Sequence, residues 1–333
     1  MTKQDNPVTI LVEFPIEAQA LQEIQSISPR IHIKKVSLED KDTIWEEGEI
    51  LLTDGRLPQI EQVPQLRWIQ SLSAGMDNHI KSDLVKNSNV TVTSASGIHA
   101  NNMANIAIML ILAFHYGLRK HIDHQAQALW PANRNVLFSP ADISDKTIGI
   151  HGYGHIGREI GRLASALGMR VVASKKNLKN LVLEDSSDPE CEIPDLLFPS
   201  EAIVTMAEQC DYLVSVAPLT KESFHSIDKP VFAAMPESGI FINLGRGKVV
   251  NEADLIEALE NEVIAGAGLD VFETEPLPED SPLWEMENVY VMPHVSGNSD
   301  QYNQKALQIF KDNLRLYLDG KPLNNQLNRD TGY

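Results

Sequence analysis

Hydrophobic positions along the chain recur with two alternating periods. Between residues 8 and 96, the runs TILVEF, IHIKKV, EILLTD, LRWIQSL and VTVTSA are short and rich in β-branched residues, and polar connections separate them. One stretch of helical spacing, IEAQALQEIQSI, lies between the first two runs. This pattern predicts a small α/β domain with a mainly parallel sheet, whose ligand edge lies at the carboxyl ends of the strands. From Asn101 to about Gln127 the spacing predicts one long helix, apolar over most of its circumference in NMANIAIMLILAFHYGL and ended by Trp130-Pro131. Such a helix is buried widely, as a connector between domains, an interface between subunits, or both.

From residue 147 to 294 the alternation becomes regular. TIGI, MRVVA, DYLVSVAP, GIFINLG, AGAGLDVF and NVYVMPH read as strands, and SEAIVTMAEQC, Lys229 to Met235 and NEADLIEALEN as helices between them. Five or six strands alternating with helices predict a doubly wound parallel sheet. The acidic segment LEDSSDPECEIPD interrupts it as a surface loop, and Asp300 to Asp319 forms a last helix closed by Gly320. That helix is long enough to cross back onto the first domain.

Composition narrows the class. The chain has 333 residues, enough for two domains, and its 43% hydrophobic and 22% charged content is that of a globular protein. A formal charge of −18 argues against a nucleic-acid or anionic-membrane surface. Cys191 and Cys210 form no disulfide framework or metal motif, and the first residues lack the pattern of a signal peptide, so a cytoplasmic location is the default expectation. His115, His121 and His124 are not spaced to put three nitrogens on one helix face, and no metal site is expected.

Candidate chemistry starts at Gly152, Gly154 and Gly157, a G-x-G-x-x-G set between a strand and a helix. The first glycine permits the turn, the second lets a pyrophosphate approach the backbone, and the third lets helix and strand pack closely. The helix start turns N–H groups and a positive dipole end toward phosphate. About 20 residues on, where NAD sites carry an acid, stand Ser174, Lys175 and Lys176. A hydroxyl and two ammonium groups attract the extra phosphate of NADP; the alternative is a solvated lysine pair with NAD held through backbone contacts. The turn containing Ala74, Gly75 and Met76 sits at a strand end and reads either as an anion contact or as a plain surface turn. Arg246, Glu275 and His294 also stand at strand ends. Together they suit hydride transfer to a 2-oxo acid: a guanidinium for the carboxylate, an imidazole as proton donor and a carboxylate to stabilise it. Structural ion pairs use the same residue types.

The motifs GYGHIG, APLTKES, INLGRGKVVNEADLIEAL, GAGLDVFETEPLP and NVYVMPHVSG follow one another in the order of the D-isomer-specific 2-hydroxyacid dehydrogenases, and the run from 97 to 298 resembles that family. The resemblance implies a Rossmann-type doubly wound sheet, residues 100–298, inserted into a smaller flavodoxin-like α/β domain of residues 1–99 and 299–333. It implies catalytic roles for Arg246, Glu275 and His294, with Glu275 rather than Glu273 as the acid. Cofactor contacts carry over to Gly154, His155, Ile156, Gly157, Pro218, Leu244, Gly245 and Asp270, the last near the nicotinamide carboxamide. Substrate-carboxylate contacts carry over to Ala74, Gly75 and Met76 beside Arg246. Family members are usually homodimers.

Two departures stand out: the missing acid after the second strand, and Asn105 where the family often has glutamate. The expectation is an oxidoreductase acting on a small 2-oxo or 2-hydroxy acid with NADP(H), or with NAD(H). Glyoxylate or hydroxypyruvate is the first compound to try, and the product is the D isomer. The reading from another class is a dinucleotide-sensing interaction protein resembling the co-repressors related to this family, with little or no catalysis. Glutamate rather than glutamine beside the histidine favours keto acid reduction over formate oxidation.

Overall fold

The computed structural model describes residues 6–38, 43–76, 79–176 and 194–329. The chain divides into two compact units, one of Met1–Ile98 with Ser299–Tyr333 and one of His99–Asn298.

In the first unit, strands β1 (Val8–Val12), β2 (Ile31–Lys35), β3 (Ile50–Thr53), β4 (Trp68–Ser71) and β5 (Thr91–Thr93) form a parallel sheet in the order β2-β1-β3-β4-β5. Helices α1 (Ala18–Gln25) and α2 (Asp83–Asn87) belong to its connections. β3 and β4 are buried at every position, as expected of strands covered on both faces.

The second unit begins with α3 (Ala100–His115), α4 (Leu118–Ala126) and α5 (Arg134–Leu137). The single long helix expected from 101 to 127 is therefore two. Gly117 adopts φ +62, and its N–H bonds back to the Phe114 carbonyl, which ends α3 before α4 begins. The core of the unit is built from β6 (Thr147–His151), α6 (His155–Ala166), β7 (Arg170–Lys175), β8 (Leu196–Pro199), α7 (Ile203–Ala207), β9 (Tyr212–Ser215), α8 (Lys229–Ala234), β10 (Ile240–Asn243), α9 (Glu252–Glu260), β11 (Gly266–Leu269) and β12 (Val289–Val291). Its seven strands are ordered β12-β11-β10-β9-β6-β7-β8, all parallel, with the reversal of direction at β6 that marks a doubly wound sheet.

β8 is one strand more than the hydrophobic pattern predicts. It is a half-exposed edge strand ending in proline, so it lacks the buried apolar run that identifies the others. Most of the acidic segment before it, and Cys191 within it, lie outside the described residues. Cys210 is buried, and burial pushes its thiol up to about 12, which leaves it protonated and inert. Among the described residues no helix is long and apolar enough to cross a membrane.

The last helix, α10 (Tyr302–Leu318), belongs to the first unit. Ala306, Phe310 and Leu314 recur at helical spacing and enter one core with Ile10, Ile50, Leu52 and Trp68. Trp68 lies 5.3 Å from the Phe310 ring and 5.4 Å from that of Tyr317. Asn313, fully buried on the same helix, donates to Gln70 Oε1 at 3.2 Å and accepts from the Asn324 N–H at 2.8 Å, so its burial leaves no polar group stranded. Phe310→Ala should therefore cost about 3–5 kcal/mol, measured as a lower urea midpoint for unfolding.

Candidate active site

The strand-to-helix turn after β6 has the conformation its glycines predict. Gly152 adopts φ +99, and a Cβ there would come within 2.7 Å of the Ala217 nitrogen. A Cβ on Gly157 would run into the Gly152 carbonyl oxygen. Gly154 differs: among the described residues nothing lies within 4 Å of the place its Cβ would take, so this face of the turn is open to them. The N–H groups of Gly152 and Tyr153 both donate to the Ser174 carbonyl at 3.1 Å, which ties the turn to the end of β7. His155 opens α6, and Ile156 packs part-buried on the core. The first turn of a helix carries N–H groups without intrahelical acceptors, and here it stands beside the open face. These residues fit a dinucleotide pyrophosphate.

At the end of β7 the residues divide. The Ser174 side chain is fully buried, and its hydroxyl lies 2.8 Å from His151 Nδ1, so it is not the phosphate ligand that its place in the sequence suggested. Burial lowers the pKa of His151 to about 4 and keeps the ring neutral. Lys175 and Lys176 follow, and Lys176 Nζ lies 3.3 Å from Glu222 Oε1. Across the sheet, the Pro218 carbonyl accepts from the Ser223 hydroxyl at 2.6 Å, and the buried Leu244 donates its N–H to the Ser215 carbonyl at 3.0 Å. A Cβ on Gly245 would lie 3.0 Å from the Ala217 carbonyl oxygen, so the loops after β9 and β10 run side by side.

Arg246 follows β10 and donates from Nη1 to the Gly245 carbonyl at 2.8 Å. Its own carbonyl accepts from Asn243 Nδ2 at 3.2 Å. Glu275 Oε2 lies 2.7 Å from His294 Nδ1, and Glu275 Oε1 accepts the Phe272 N–H at 3.0 Å. A carboxylate in this position accepts the hydrogen bond of the Nδ1–H and leaves Nε2 as the nitrogen available to a ligand. His294 adopts φ +53, a conformation that side-chain-bearing residues enter only when neighbours hold them there. Asp270 supplies that hold. It is fully buried, and its two oxygens accept the N–H groups of Val295 at 2.7 Å and Ser296 at 2.9 Å. The structure thus employs Asp270 as the anchor of the loop carrying His294, a use the carboxamide expectation did not contain.

A second acid–histidine pair lies two residues earlier in the chain. Glu273 Oε1 is 2.8 Å from His225 Nε2 and accepts the Glu252 N–H at 3.0 Å, while Glu252 Oε2 accepts the Glu273 N–H at 3.0 Å. Burial pushes the Glu252 carboxyl up. Sequence reasoning found neither this clamp, whose partners come from separate segments with no motif of their own, nor the His151–Ser174 pair, which depends on the register between β6 and β7.

In the first unit, Ala74 and Gly75 are half-buried after β4. Ser73 fixes the turn by donating its N–H to Ser71 Oγ and accepting the Ala95 N–H, both at 3.0 Å. The Met76 side chain is buried in the core with Leu51, Ile69 and Leu84, so a ligand contact from it is restricted to the main chain. Asp77 lies outside the described residues. His115 bonds to the Tyr212 hydroxyl at 2.9 Å, and the His121 ring stacks 4.1 Å from that of Phe138.

Fold and glycine turn together define a dinucleotide-binding protein of the doubly wound class. Residues 108–296 match the description "D-isomer specific 2-hydroxyacid dehydrogenase, NAD binding domain". The chain is 33% identical over 291 residues to the glyoxylate/hydroxypyruvate reductase B of Serratia proteamaculans, covering 86% of each. It is 30% identical over 282 residues to the glyoxylate reductase of Korarchaeum cryptofilum, covering 84% of this chain and 82% of the relative. A D-isomer specific 2-hydroxyacid dehydrogenase from Xanthobacter autotrophicus, solved with NADPH and MES, superposes with a TM-score of 0.80 at 25% identity over 98% of this chain and 100% of that one. The protein belongs to the D-isomer specific 2-hydroxyacid dehydrogenase family and is an NAD(P)-dependent enzyme.

The hold of Asp270 on residues 294–296 is open to a direct check. Asp270→Asn turns an amide NH2 toward one of two N–H donors, and hydrogen bonds to a charged group carry about 1.5–3 kcal/mol. Turnover of a 2-oxo acid should fall about 10- to 100-fold in steady-state assays, with circular dichroism unchanged.

Proposed function

We propose that this enzyme reduces small 2-oxo acids, glyoxylate and hydroxypyruvate first among them, and that it uses NADPH ahead of NADH. The observation that carries the reading is the 2.7 Å pair between Glu275 and His294 Nδ1, on loops of adjacent strands β11 and β12, with Arg246 after the next strand, β10. The names of the Serratia and Korarchaeum relatives support the substrate class. The absence of an acid after β7, the presence of Lys175 and Lys176, and the NADPH bound by the Xanthobacter relative support the cofactor.

When bound, the reduced nicotinamide supplies the hydride. The Arg246 guanidinium pairs with the carboxylate of the acid and polarises the neighbouring carbonyl. His294 gives the proton on Nε2 to the carbonyl oxygen as negative charge develops there, and in the reverse direction Nε2 takes it back. Glu275 fixes the ring through Nδ1 and balances the imidazolium charge. In the other unit, the main-chain N–H groups of the Ala74-Gly75 turn suit a carboxylate. By family resemblance the product is the D isomer.

The first half of the second unit supports a homodimer. Met109, Tyr116, Ile122, Leu129, Trp130 and Val136 are all exposed, Trp130 at 81% and Val136 at 82%, an apolar surface that a second copy of this chain would cover.

NADPH absorbance should fall on mixing with glyoxylate or hydroxypyruvate, and His294→Asn should lower kcat by about 10²–10⁴-fold; a 2-oxo acid panel that consumes no NADPH would refute the substrate reading. Light scattering should give twice the 37.0 kDa chain mass, and Trp130→Glu with Val136→Glu should return the protein to a single chain.

A further inference from the structure

The loop after β9 is fixed by hydrogen bonds of its own. Thr220 donates its N–H to Ser223 Oγ at 2.7 Å, Ser223 returns its N–H to Thr220 Oγ1 at 3.2 Å, and Ser223 Oγ donates to the Pro218 carbonyl at 2.6 Å. Glu222 sits inside this lock. Its own N–H, the Thr220 hydroxyl and Lys176 hold its carboxyl below the usual range, so it is an anion at neutral pH. Lys176 reaches it from the end of β7, Nζ to Oε1 3.3 Å. Both side chains face water, at 46% and 66% exposure, and an ion pair so exposed exchanges readily for a stronger partner.

We propose that Glu222 is a cofactor-selecting residue that competes with the 2′-phosphate of NADPH for Lys176, and thereby limits the preference of the enzyme for NADPH over NADH. This rests on the reading that the lysines after β7 receive that phosphate. A phosphate monoester brings close to two negative charges and three acceptor oxygens, against the single charge of a carboxylate. On its arrival Lys176 leaves Glu222 for the phosphate. Glu222 faces water, so its charge is not stranded, but breaking the pair subtracts from the affinity for NADPH. NADH carries no 2′-phosphate and leaves the pair intact. Two adjacent lysines therefore give a weaker NADPH preference than their charges alone would set.

The test is a double-mutant cycle on the full-length enzyme, with dissociation constants for NADPH and NADH from fluorescence titration. Glu222→Gln should raise the NADPH-to-NADH affinity ratio about three- to tenfold. Lys176→Gln should lower it about tenfold, and adding Glu222→Gln on that background should change it by less than about twofold. A ratio unmoved by Glu222→Gln alone, or raised equally with and without Lys176, would overturn the competition while leaving the phosphate site standing. A ratio unmoved by Lys176→Gln would overturn the phosphate site and the competition with it.

Discussion

The nucleotide-binding unit depends on one constraint, the parallel register of its sheet. Parallel strands cannot be joined by hairpins; each chain segment must cross back, so every strand releases its following loop at the same edge. His151 lies opposite both Ser174 and Ser215, Asn243 lies opposite Ser215 and Leu269, and Leu269 lies opposite Val291. The register therefore brings the glycine turn, the lysines at the end of β7, Arg246, Glu275 and the His294 loop to one edge, although more than a hundred residues separate the first from the last. The polar side chains of that edge are buried, which is tolerable only where they are bonded. Ser174 pairs with His151, Asn243 serves Gly245 and Arg246, and Asp270 serves Val295 and Ser296. Ser215 Oγ alone of this row has no partner among the described residues.

What the sequence discloses follows from the same physics. Strands covered on both faces must be apolar throughout, so Ile50–Thr53 and Ile240–Asn243 are legible as strands without any tertiary knowledge. The half-exposed β8 is not, because an edge strand need not be apolar. The break between α3 and α4 escapes hydrophobic periodicity because one glycine in the left-handed region redirects the chain while the apolar pattern runs on through it.

Within the site, a similar division holds. The turn at Gly152 and Gly157 is legible because backbone geometry there excludes a side chain, and that exclusion is local. The environments of Ser174 and Asp270 are not, because each is decided by a partner segment that no motif announces: His151 across the β6–β7 register for Ser174, and the loop of Val295 and Ser296 for Asp270. Glu273 and Glu275 make the point most sharply. They are two residues apart and chemically the same, yet one meets His225 and the other His294, and no spacing rule distinguishes them.

This acid-rich edge nevertheless has to admit an anionic cofactor and an anionic substrate, in a chain of net charge −18. Screening over about 8 Å at physiological ionic strength removes most of the distant repulsion, so the local groups decide. Most of the local acids already face donors. Asp270 faces two main-chain N–H groups, Glu275 faces the Phe272 N–H and His294, and Glu273 faces the Glu252 N–H. Their negative charge is directed into donors that the fold itself supplies. Glu222 breaks the pattern, since one of the donors it faces is the exposed ammonium of Lys176. An acid paired with a fixed N–H leaves the field at the edge unchanged when a ligand binds, whereas an acid paired with a mobile ammonium must give it up. That difference makes Glu222, alone among these acids, a group whose charge the cofactor has to contend with.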